Sequence, residues 1–232
     1  MGMRIEPEIS GVQVVLVGDF NPAIFTPAWF ALYGLLPKSV ASSAKLEVAH
    51  PQVTKFAADW LNLEVTVERF AIDTSQAPHV RLRDLAVRVF REHLFHTPLK
   101  ALGINRTVHF RVRNLAARDC IGRTLAPVEP WGRWGRDLGQ DGVRGGMTSL
   151  RMTQIDPDGR PSGGRINVTV EPSIRIGEGR TGVFANVNDH YVIDETSPGA
   201  GTGLMELLET NFDTSLKRSD DIIDHIMSLA QE

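Results

Sequence analysis

The alternation of apolar and polar positions is sharpest between Leu61 and Val112, a stretch that reads as strand, helix, strand. Leu61, Leu63, Val65 and Val67 alternate with Asn62, Glu64, Thr66 and Glu68, so the spacing predicts one strand over 61–72 with a buried and a wet face. Asp73 to Pro78 turns the chain, and Pro78 suits a first helical turn, where its missing N–H costs nothing. Leu82, Leu85, Ala86, Val89, Phe90 and Leu94 then recur at three- and four-residue spacing, the stripe of a helix laid on a sheet. Asp84 and Arg88, four apart, are placed to pair on its outer side. Pro98 and Gly103 close the segment, and Val108, Phe110 and Val112 alternate with polar neighbours as a second strand.

On the N-terminal side, the near-continuous apolar run from Gly11 to Gly18 predicts a strand buried on both faces. Thr26-Pro27 looks like an N-cap followed by a first-turn proline. The segment 28–36 is apolar all round and reads as a helix hidden in the core or under a partner. Residues 44–58 read as strand leading into a hairpin. On the C-terminal side, 114–146 is rich in Gly, Arg and Pro, has no clear periodicity, and reads as a long loop docking Trp131 and Trp134. A meander of three strands follows over 147–155, 165–176 and 183–193, with turns at Asp156–Gly159 and Glu178–Gly182. Gly199–Gly203 leads into a helix striped by Leu204, Leu207, Leu208, Phe212 and Leu216, and Ser219 reads as the cap of a final helix. The pattern predicts an α+β protein of two mainly antiparallel sheet-plus-helix halves, 1–113 and 147–232, joined by the connecting loop 114–146.

Composition sharpens this only in places. The chain has 232 residues, 42% hydrophobic and 23% charged, ordinary for a globular protein. Its net charge of −3 is unevenly spread: 101–180 holds thirteen Arg and eight acids, whereas 181–232 holds ten acids and two basic residues. Middle and tail are therefore expected to meet inside the protein or across a self-association contact, unless the arginines serve a phosphate-bearing partner. The lone Cys120 excludes an internal disulfide and fits a reducing compartment. No apolar run approaches the roughly 18 residues a bilayer span needs, no basic-then-apolar leader opens the sequence, and Glu6 stands where a myristoylation signal wants a hydroxyl. The reading is cytoplasmic, with no membrane contact.

Candidate chemistry is thin. His93 and His96 lie three apart, but no third ligand is spaced for a metal, so neither metal nor cofactor is expected. Asp189 and His190 are adjacent on a strand and point to opposite faces, so they form no local dyad. An enzyme would need His109, His190 and Glu171 to converge. Gly199–Gly203, between strand and helix, has phosphate-loop placement without the Lys and Ser/Thr of a P-loop. Cys120, flanked by Arg118 and Arg123, carries no nucleophile motif. The leading expectation is a non-catalytic binding or assembly subunit that self-associates or joins a protein partner through Trp29, Phe30, Tyr33, Trp131 and Trp134. The alternative is a nucleic-acid-binding protein in which Arg111, Arg113, Arg133, Arg136 and Arg144 meet phosphates and the two Trp stack on bases.

Four stretches carry a family resemblance: the Leu61–Phe70 strand, Leu102-Gly103-Ile104-Asn105, Val187-Asn188-Asp189-His190-Tyr191, and the tail helix around Phe212. Their layout resembles a family of uncharacterised bacterial proteins of similar length. The resemblance implies an α+β fold and, for some members, a place in multi-gene systems. It implies no catalytic residues.

Overall fold

A computed structural model describes residues 5–138, 140, 145–157, 163–177, 181–193 and 200–230. The chain begins with β1 (Ile9–Gly18), a 3-10 turn at Pro22–Ile24, α1 (Pro27–Leu32) and α2 (Lys38–Ser42). A meander follows: β2 (Lys45–His50), β3 (Val53–Ala58), β4 (Leu61–Thr66) and β5 (Arg69–Thr74), then α3 (Val80–Arg88), which runs on as a π turn over Val89–His93. The same order of strand, helices, meander and helix then recurs. It comprises β6 (Leu99–Arg111), α4 (Leu115–Leu125), a 3-10 turn at Glu129–Trp131, α5 (Gly132–Leu138), β7 (Leu150–Ile155), β8 (Arg165–Pro172), β9 (Gly182–Val192) and α6 (Ala200–Ser228).

The protein is α+β, and its strands form one nine-stranded antiparallel sheet in the order β2-β3-β4-β5-β1-β6-β9-β8-β7. Two separate sheets are therefore not what the strands build. Thirteen-residue β6 starts well before Val108 and pairs along its length with both β1 and β9, so the ladder runs through the middle without a break. The expected 61–72 strand is a hairpin. Its buried positions are Leu61, Leu63 and Val65 before the turn at Val67-Glu68, and Phe70 and Ile72 after it. That switch from odd to even residues is met here by reversing the chain, β4 pairing antiparallel with β5. The 44–58 segment is likewise two strands, β2 and β3.

β1 lies at the centre but is not buried on both sides. Val12, Val14 and Leu16 are buried, whereas Gln13 and Val15 are half-buried and Val17 is exposed. Helices cover only the first side. Thr26 caps α1 as expected, its side chain accepting from the Trp29 N–H at 3.2 Å. The helix then stops after six residues, at Gly34 with φ +63°. The apolar 28–36 segment is thus divided: Phe30, Leu35 and Leu36 are buried, while Leu32 is 77% exposed. On α3 the Asp84–Arg88 pair does not form, because Asp84 takes Arg83 at 2.8 Å and Arg88 takes Glu92, one turn on, at 3.7 Å.

Two apolar clusters lie between helices and sheet. One gathers around Phe25, Phe30, Phe56, Phe70 and Phe90, the other around Val108, Phe110, Ile121 and Val187. The single helix α6 spans both, giving Leu204, Leu208 and Phe212 to the first and Ile223, Ile226 and Met227 to the second. Its 29 residues reach roughly 43 Å. Ser219 does not cap a new helix; its hydroxyl donates to the Ser215 carbonyl at 2.7 Å, which keeps it inside a continuous one. Gly201 and Gly203 lie in the first turn of α6, so they do not form a phosphate loop; Gly199 is outside the described residues.

Between the two clusters the sheet meets α6 through polar groups. Arg106, on β6, donates to Asp220 at 2.8 Å and to Ser10 at 2.7 Å. Asp189, on β9 and buried, accepts from Arg218 at 3.0 Å, from Tyr191 at 3.2 Å and from Ser215. Among the described residues, basic middle and acidic tail meet in the Arg106–Asp220 pair. Other tail acids pair with α3 and its extension, Asp213 with Arg83 and Glu209 with Arg91.

The far side of the sheet carries a polar row that crosses the strands in register. Thr153 donates to Asn167 at 2.9 Å, Asn167 to Asn188 at 3.0 Å and Asn188 to Asn105 at 2.9 Å; farther along, Asn62 donates to Asp73 at 2.9 Å. Among the described residues, the outer strands β2 and β7 pair only with β3 and β8 respectively. β2 carries Lys45, Glu47 and a bulge between Leu46 and Val48. β7 leaves Met152 at 64% and Ile155 at 69% exposure. Among the described residues no helix is long and apolar enough to cross a membrane.

Candidate functional site

The segment 114–146 is not a plain loop, because Asn114 starts a helix there. Its side chain accepts from the Ala117 N–H at 2.9 Å, satisfying one of the donors a helix start leaves open. Only Ala117 and Ile121 of α4 are buried. The flank carrying Arg118, Asp119, Gly122 and Arg123 instead forms one wall of a cleft of about 1110 Å³.

The turn from Pro172 to Gly177 also lines the cleft, as do Glu8 and Arg111, the last residue of β6. Met147 and Thr148 line it as well. Four arginines, at 111, 118, 123 and 175, therefore share one concavity a little larger than the usual ligand site. Arg111 grips Glu8 through two bonds, at 2.6 and 3.2 Å, and this holds the Glu8 carboxyl below the usual carboxylate range. Arg118 takes Asp119 at 2.9 Å. Arg123 and Arg175 have no acidic partner among the described residues.

Beneath the cleft lies His109. It has the parity of the open side of the sheet, yet it is buried. The Phe184 ring sits 4.9 Å from it and Ser173 Oγ 2.8 Å from its Nδ1. The Ser173 oxygen also accepts from the backbone N–H of Arg175 at 3.1 Å and of Ile176 at 3.2 Å, so its own proton goes to His109. Burial, with Arg175 nearby, pushes the His109 pKa down, which agrees with that acceptor role. This Ser–His contact fixes a turn: both lone pairs of the hydroxyl are engaged, which leaves it a poor nucleophile.

The other histidine readings come apart in the register. His109 and Glu171 both pair with Phe184, from opposite sides, so a strand lies between them. His190 pairs with Gly103 and Arg165, six positions along β9 from Phe184. Asp189 and His190 do point to opposite faces, one into the α6 junction and one to the open side. His93 packs on Tyr33, ring centres 4.7 Å apart, and His96 on Phe95 at 4.1 Å. Among the described residues no three His, Cys, Asp or Glu side chains are grouped as metal ligands would be.

Beside the cleft, Val128 and Leu138 line it while the chain between them juts out as a short helical hairpin. The repeated Trp-Gly-Arg has a physical reason here. Gly132 takes φ +62°, and a Cβ on Gly135 would lie 1.9 Å from the Val128 carbonyl oxygen. With glycine at both positions the hairpin folds tightly, leaving Trp131 and Trp134 64% and 60% exposed with ring centres 5.6 Å apart. They are not docked in pockets.

The other expected contact residues scatter. Trp29 is half-buried against Phe25, Phe30 and Tyr33; Phe30 is wholly buried on Phe56, so it serves the core rather than a surface; Tyr33 is exposed. Arg111 is in the cleft, Arg113, Arg133 and Arg136 are exposed near it in sequence, and Arg144 lies outside the described residues. Sequence reasoning missed Arg175, Glu8 and Ser173, and took Arg118 and Arg123 only as neighbours of Cys120. Arg118 and Arg123, five apart, are not same-face neighbours on a helix, so no local spacing in the sequence joins them. No protein-family model and no curated protein sequence matches this chain.

Proposed function

We propose that the protein is a non-catalytic binding subunit that takes an anionic partner into the arginine-lined cleft. The observation that carries this is Arg123 and Arg175, which share the cleft with Arg111 and Arg118 and have no acidic partner among the described residues. Guanidinium forks match carboxylate and phosphate oxygens in pairs, so such groups are suited to an incoming anion. The Ser173–His109 contact supports binding over turnover, since its hydrogen bonds are already committed to the turn. Titration calorimetry with tripolyphosphate tests the reading. Arg123→Ala with Arg175→Ala should weaken binding about tenfold or more, given roughly 1.5–3 kcal/mol for a hydrogen bond to a charged group. Equal binding by the double variant would end it.

A second contact, with a protein or another copy, is favoured by Leu32 and Tyr33, which project from the end of α1 at 77% and 46% exposure. Light scattering over a concentration series, at low and high salt, reads it directly. A monomer under every condition removes self-association.

A further inference from the structure

We infer that the cleft and the indole pair on its rim form one site for single-stranded nucleic acid. The inference rests on the anion-binding reading of the cleft and adds the class of partner. Phosphates alone would need only the arginines. The chain also spends two glycines on lifting Trp131 and Trp134 out of the protein, at the hairpin whose two ends, Val128 and Leu138, line the same cleft. Their planes are 59° apart, so they offer two separate platforms rather than a slot for one ring. Exposed aromatic platforms beside a basic groove are how proteins hold a strand whose bases are unstacked: the backbone tracks the cations and the bases lie on the rings. A duplex would keep its bases stacked on each other and leave the indoles idle. An acidic peptide would satisfy the arginines but give the paired indoles nothing specific to do. Charge agrees locally, because the 101–180 stretch carries five more Arg than acids although the whole chain is at −3.

The test uses the full chain with labelled oligothymidylate and oligouridylate of about 16 nucleotides, the upper end of site sizes for such platforms. Binding should quench tryptophan emission and saturate. Its logarithm should fall against log salt with a slope of about −0.7 for each phosphate contacted, so Arg123→Ala with Arg175→Ala should flatten the slope by about 1.4. Trp131→Ala with Trp134→Ala should cost about tenfold or more, and Trp131→Tyr with Trp134→Tyr should recover most of it. Both indoles are exposed, so unchanged melting curves are expected to accompany these losses. Tripolyphosphate and polyglutamate are the controls. Binding of either as tight as the oligonucleotides, with no effect of the Trp variants, overturns the nucleic-acid inference and leaves the anion cleft standing. Absence of binding by every anion overturns both.

Discussion

Asp189 shows how much one side chain can hold. It is buried beneath α6 and gathers Arg218, Ser215 and Tyr191 from two elements. Removing one member of such a group leaves the others without compensation, so Asp189→Ala should destabilise the protein by about 3–5 kcal/mol in urea unfolding. Histidine gives a second residue-scale expectation. Burial lowers the pKa of His79, His109 and His190, with Arg106, Arg175 and Arg165 respectively adding to the effect. The unfolded chain therefore takes up protons near pH 6.5 that the folded chain still refuses. Their contribution to stability is complete above about pH 6.5 and is lost as pH falls below it. The urea midpoint should drop between pH 7 and pH 5, and His109→Gln should make that drop shallower.

At the scale of elements, local pattern and long-range packing divide the outcome. The Thr26-Pro27 start of α1, the α3 stripe and the alternation of β9 follow from local pattern, whereas β7 has no buried residue and is placed by its pairing with β8. The β4–β5 hairpin was also written in the sequence, in the parity change between Val65 and Phe70, but only to a reading that demands one parity per strand. α4 could not be seen that way, since two buried residues in eleven make no stripe; the cap at Asn114 is its real signal. Asn114→Ala should accordingly cost about 1 kcal/mol. Gly135→Ala is the sharper test of the indole hairpin. The added methyl collides with the Val128 backbone, so emission from Trp131 and Trp134 and binding of polyanions should both change while far-ultraviolet circular dichroism stays the same.

The whole molecule depends on pairings the chain makes across long separations. β1 meets β6 nearly a hundred positions later, and no local pattern announces that register. The cleft inherits the difficulty: its arginines come from a strand end, a helix and a turn, and are brought together only by the order of the sheet. α6, fastened to both apolar clusters, ties them into one unit. Unfolding followed by tryptophan emission and by circular dichroism should therefore trace one coincident transition, and separate midpoints would show the clusters melting independently.

The two margins of the sheet have unequal defences. β2 is guarded by charges and a bulge, whereas β7 offers a backbone with no second partner among the described residues, flanked by Met152 and Ile155, with Arg151 its one charge. Such a border is a template on which foreign backbone can crystallise as a tenth strand. Concentrated solutions should grow fibrous or stacked aggregates seeded along that side, and Met152→Lys should keep them clear.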